Sequence, residues 1–116
     1  MKMTDDQYNA LLETAFSPIV PDVWEGVYTG EDLDTYITFF YENQPAMFAN
    51  NRPTVLLRNT TVVLWVRNGE DAFAMRDALR RAILSFEMTV PTEQVATDNG
   101  WQQYIFTFTY SSGYPG

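Results

Sequence analysis

The side chains with the most chemical potential in this chain are its clustered carboxylates, its arginines and its aromatics. Glu31, Asp32 and Asp34 form the tightest acidic group. Oxygen ligands of this kind suit calcium or magnesium, but the spacing lacks the glycine and distal glutamate of an EF-hand loop. The group reads as a solvated acidic turn. Arg76, Arg80 and Arg81 fall together at helical spacing, where guanidinium forks would grip phosphate or a partner's acidic surface. The same spacing fits a solvated helix face; the preference of arginine for interfaces supports a partner surface as the alternative. Tyr104, Phe106 and Phe108 alternate along one stretch and would stack bases in a sheet-based RNA binder. Such platforms come with cations, whereas Lys2 is the sole lysine, so core packing is the better reading. Ser17, Ser85, Ser111 and Ser112 have no histidine to activate them. Gly26 and Gly30 make no phosphate-cradling motif. The absence of His and Cys removes the commonest general base, thiolate catalysis, disulfides and thiolate-bound zinc. The expectation is a chain that is not an enzyme and needs no cofactor or metal.

The elements that would position these residues follow from periodicity. Residues 4–17 predict a helix: Thr4 and Gln7 have capping-box spacing, and Asp5 and Asp6 suit the positive end of the dipole. Tyr8, Leu11, Leu12, Ala15 and Phe16 form one stripe, and Pro18 stops the helix by pushing the preceding residue out of helical space. Residues 19–28 read as extended or loop. Residues 36–41 predict a strand with large side chains on both faces: Tyr36, Thr38 and Phe40 on one, Ile37, Phe39 and Tyr41 on the other. Such a strand wants cover on both sides. Residues 42–45 break it, and residues 46–58 read as a loop with room for an irregular strand at 54–57 and a turn at Asn50-Asn51-Arg52-Pro53. Residues 60–67 form the best strand, with Val62, Leu64 and Val66 opposed to Thr61, Val63, Trp65 and Arg67. Asn68 or Gly69 then starts a second helix with Glu70 and Asp71 in its first turn. Its stripe is Ala72, Met75, Leu79, Ala82 and Phe86, widened by Phe73, Ile83 and Leu84, with Asp77 and Arg81 as an i, i+4 pair. Residues 93–97 give a short strand, Asp98-Asn99-Gly100 a hairpin turn, and residues 101–110 a clearly alternating strand. Residues 111–116 have the chemistry of a flexible tail.

The fold class expected is α+β: a mostly antiparallel sheet of about four strands with two helices on one face. The length of 116 residues fits one domain, residues 1–110, able to bury about two-thirds of its unfolded surface. Hydrophobic residues are 46% and aromatics 16%, a globular composition. The net charge of -8 opposes nucleic-acid binding, which draws its affinity from phosphate neutralisation. The first residues lack the apolar run of a signal peptide, and no window reaches a membrane span, so the reading is of a protein soluble in the cytoplasm when made.

The order of these elements resembles the tail terminator (tail completion) proteins of long-tailed bacteriophages. The resemblance runs over residues 4–110. It rests on the N-terminal helix leading into Ser17-Pro18-Ile19-Val20-Pro21, the acidic turn, and the strand Tyr36-Ile37-Thr38-Phe39-Phe40-Tyr41. It continues with a loop carrying Pro45, Ala46, Phe48 and Ala49, the strand 61–67 before Asn68-Gly69-Glu70-Asp71, and the closing aromatic strand 104–108. It implies a homo-oligomeric ring, usually a hexamer, at the head–tail junction of the virion. Such a ring seats on the last ring of tail-tube protein, stops tube polymerisation, presents a surface to the head connector, and passes DNA through its centre without specific binding. An acidic lumen would keep DNA sliding. The contacts expected for it are Phe48, Asn50, Arg52 and Arg58 in the 46–58 segment and Arg76, Arg80 and Arg81 on the second helix. The alternatives are another connector or tail-tube component, and a small acidic intracellular domain that binds a basic partner.

Overall fold

The computed structural model describes residues 2–28, 33–67 and 72–115. Helix α1 (Asp5–Phe16) starts on the expected capping box: the Gln7 N–H donates to the Thr4 hydroxyl at 3.2 Å and the Thr4 N–H to the Gln7 side chain at 2.9 Å. Tyr8, Leu12 and Phe16 are its buried stripe. The helix stops before Pro18, but Ser17 itself keeps helical dihedrals (φ -61, ψ -30). The missing proline N–H, rather than a shift of the preceding residue, therefore ends the ladder.

The sheet has five strands in the order β1-β2-β3-β5-β4. They are β1 (Val23–Glu25), β2 (Thr35–Ala49), β3 (Arg52–Arg67), β4 (Thr92–Asp98) and β5 (Trp101–Gly113), with α2 (Phe73–Leu84) between β3 and β4. The α+β class holds and the sheet is mostly antiparallel, as expected; the count of about four strands is corrected to five by β1. That strand runs parallel to β2 through Val23↔Ile37 and Glu25↔Phe39. It is three residues long, too short for any periodicity to reveal. Gly26 ends it at φ +80, a value a side chain would strain, and donates its N–H to the Phe39 carbonyl at 2.8 Å.

The largest correction concerns residues 46–58, which are not a loop. β2 and β3 form one continuous hairpin, in register from Thr35↔Val66 to Ala49↔Arg52 and closed by Asn50 and Asn51 at φ 51 and φ 62. Two left-handed residues in a two-residue loop give the type I′ geometry that matches strand twist. Pro45 does not break the strand. Alternation sends the Ile37 N–H and the Phe39 carbonyl outward to β1's side, so Pro45 puts its missing N–H on the unpaired outer edge. The C-terminus is corrected too: Ser111 to Gly113 continue β5 opposite Leu57, Leu56 and Val55, and the Tyr114 N–H reaches the Thr54 carbonyl at 3.0 Å. The turn at Asn99-Gly100 matches expectation, with φ 48 and φ 86 between paired Asp98 and Trp101.

Register separates the two faces. Ile37, Phe39, Val62, Leu64, Val66, Tyr104, Phe106 and Phe108 lie on one and pack with α1 and α2 into a single core. Both helices therefore cover that face, as expected. In α2, Leu79 and Ile83 are fully buried, but Phe73 and Leu84 are 71% and 48% exposed and do not widen the stripe. The helix opens at Phe73 behind Ala72, whose dihedrals are not helical (φ -109, ψ 1) and which gives no side-chain cap. The start expected at Asn68 or Gly69, with Glu70 and Asp71, falls on residues outside those described. Asp77 pairs with Arg80 at 2.8 Å, one residue earlier than the expected Arg81.

Candidate functional site

The face opposite the helices carries the three tryptophans of the chain. Trp65 stands across from Tyr36 on β2 and Gln103 on β5, and Trp101 across from Arg67. Tyr36 and Trp65 stack at 5.6 Å with 11° between planes; Trp101 meets both edge-on at 5.4 and 6.4 Å. Tyr28 extends the cluster at 5.0 Å from Tyr36, and Trp24 at 5.1 Å from Tyr28. The indole N–H of Trp65 donates to the Thr38 hydroxyl at 2.9 Å, so its polar end is satisfied. The Arg67 guanidinium lies 4.4 Å over the Trp101 ring and pairs with Asp34 at 3.2 Å. Burial among these rings raises the Tyr36 phenol. The cluster offers apolar contact area and π faces, and the Asp34 carboxylate at its rim is paired with Arg67. Further along the same face it gives way to Phe40, Thr61, Thr107 and Thr109, which line a shallow groove of about 670 Å³ bounded by Met88 and Val90.

The second exposed feature is the end of the β2–β3 hairpin. Met47 and Phe48 are 72% and 65% exposed, and Ala49, Asn50, Asn51 and Arg52 are exposed beside them. Met47 has φ 52 and accepts a hydrogen bond from the Thr54 hydroxyl, which fixes this strained backbone. β1 pairs only with Ile37 to Phe39, so beyond Phe39 the outer edge of β2 is open among the described residues. Of the expected contact residues, Phe48, Asn50 and Arg52 gather at this tip.

The arginines divide. Arg58 is fully buried within the chain, and so is not the surface contact expected of it. Its Nη2 donates to the Met3 carbonyl at 2.7 Å and to Asp5 Oδ1 at 3.2 Å, its Nη1 donates to Ser112 Oγ at 3.0 Å, and the group lies 5.1 Å from the Tyr8 ring. It pins the start of α1 onto β3 and β5. Beside it the Tyr8 hydroxyl shares a 2.6 Å hydrogen bond with Thr60, and desolvation raises that phenol strongly. The Tyr41 hydroxyl donates to Asn9 Oδ1 at 2.6 Å; burial, then the nearby Asp5 and Glu25 charges, push Tyr41 up to about 12.

Arg76 and Arg80 both grip Glu93 on β4, at 3.3 Å from Arg76 Nε and 2.7 Å from Arg80 Nη2. Arg76 also lies 5.2 Å over the Tyr104 ring. These bonds, Arg80's first, hold the Glu93 carboxyl below its ordinary range and raise Arg80. The pair ties α2 to the sheet edge. Arg81 is exposed and has no ion pair among the described residues. Of the acidic group, Glu31 and Asp32 lie outside the described residues, and Asp34 serves Arg67. Among the described residues no three His, Cys, Asp or Glu side chains come together as a metal site.

Met47 was missed as a site residue. The alternation opposes Trp65 to Val62, Leu64 and Val66, which marks one of these two faces of β3 as a candidate for burial against a neighbour without saying which. Set against known proteins, the chain matches no protein-family model and no curated protein.

Proposed function

We propose that this chain is a structural subunit of a bacteriophage tail, forming a ring that caps the tail tube, ends its polymerisation and joins it to the head connector. The observation that carries the reading is the hairpin of β2 and β3. It draws the molecule out to 54 Å against 26 and 24 Å across, and it carries exposed Met47 and Phe48 on the strand just before its Asn50-Asn51 turn. An arm of this kind is an assembly device, since exposed apolar side chains at its tip favour burial against another chain. The uncovered aromatic face gives the same subunit a second surface with the composition of an interface core. The net charge of -8, multiplied around a ring, would repel DNA phosphates from its channel. The tail-tube protein and the head connector are the partners of the two ring faces, and DNA passes between them without specific contacts.

Electron cryomicroscopy of virions tests this. A single ring of this chain between tail tube and head connector supports it. Stacked rings along the tail would make it a tube subunit, and absence from tail and junction would reject the phage reading in favour of an acidic protein-binding domain.

A further inference from the structure

The hairpin tip differs in charge from the rest of the molecule. Between Glu42 and Glu70 the chain contains no carboxylate, and from residue 43 to residue 57 its only charged side chain is Arg52. The negative excess of the protein therefore lies wholly outside the tip. At the other end of β2, a shallow cleft of about 410 Å³ lies between the end of α1 and β1, lined among others by Glu13, Pro21, Trp24 and Glu25. Trp24 is 45% exposed at this sheet edge, where it lines the cleft while its ring meets Tyr28 on the opposite face, and Glu25 accepts a hydrogen bond from Asn9. The cleft thus pairs an aromatic surface with two carboxylates, and the tip pairs Met47 and Phe48 with one guanidinium. β1 sits against Ile37 to Phe39, so a strand running on to Ala49 separates cleft and tip by roughly 30 Å. They cannot meet within one chain.

We infer that the Met47–Phe48–Arg52 tip of one copy docks in the Glu13–Trp24–Glu25 cleft of a second copy. The apolar side chains cover Trp24 and Arg52 faces the two carboxylates. The contact is heterologous, tip to cleft, so every open assembly keeps one free tip and one free cleft until a ring closes. The inference uses only the self-association in the function proposed above and specifies its contact.

The chain has no cysteine, which makes a disulfide test clean. Ala49→Cys beside the tip combined with Thr14→Cys at the cleft should give a covalent ladder of dimers, trimers and higher species on oxidation, while each single variant stops at dimers. A double variant that forms no ladder overturns the contact. Sedimentation velocity of the cysteine-free protein gives the second arm. Arg52→Glu should weaken association about tenfold, and so should Glu13→Arg with Glu25→Arg; combining the three should restore it. Wild-type association in Arg52→Glu, or no rescue in the combination, overturns the inference. Rings that persist on tail tips carrying Arg52→Glu would remove this contact and leave the proposed function standing; a ladder from a chain absent from virions would do the reverse.

Discussion

Arg58 shows how a side chain suited to a surface role becomes a structural one. A buried guanidinium is tolerable only when its donors are occupied, and Met3, Asp5, Ser112 and the Tyr8 ring occupy it. Arg58→Ala should cost about 3 kcal/mol in urea unfolding, whereas Asp5→Asn should cost about 1 kcal/mol or less because the Asp5 side chain is 57% exposed and solvent-screened. Tyr8 and Tyr41 make stability fall in alkali. Their folded pKa values lie above the unfolded value near 10, so the unfolded chain loses its protons first as pH rises. Their contribution is complete below about pH 10 and is lost as pH rises to about 12 for Tyr41. Circular dichroism should unfold together with tyrosinate absorbance across that window; tyrosinate appearing first on an intact fold would contradict it. Glu93 has the opposite sign. Its folded pKa is depressed, so its contribution is present above the ordinary glutamate range and is lost as acid protonates it. Glu93→Gln should flatten the acid limb of an unfolding profile.

Among the elements, legibility depended on whether burial imposed a pattern. The Asn99-Gly100 turn was readable because alternation flanks it, with Tyr104, Phe106 and Phe108 buried on one face. The Asn50-Asn51 turn has the same geometry, yet its flanks from residue 42 to residue 49 are almost wholly exposed, so no apolar period marks a strand there. Pro45 looked like a breaker because the sequence does not say which edge of β2 is free. β1 exists only through its pairing with β2. That both helices share a face was readable from the apolar stripes, but which face of β3 they cover was not, because Val63 and Trp65 are as apolar as Val62 and Leu64. Asn51→Ala should destabilise the hairpin by about 1 kcal/mol through its left-handed backbone, and Asn51→Gly should be neutral or stabilising. Thermal unfolding of the two variants checks this.

At the scale of the whole molecule, a helix-covered core on one side leaves an aromatic face, an open β2 edge and a projecting tip on the other surfaces. Excess apolar exposure in a protein of charge -8 is a feature of subunits that bury it against neighbours. Replacing the end of the hairpin by a tight Asn-Gly turn should leave the core cluster and its cooperative unfolding unchanged while abolishing assembly, read by native mass measurement. The most direct measurement of the central claim is an electron cryomicroscopy reconstruction of the head–tail junction of the virion. The density expected for this chain is one closed ring between tail tube and connector, with the hairpin arms at subunit contacts; a virion with no copy of the chain at that junction would overturn the tail-ring function.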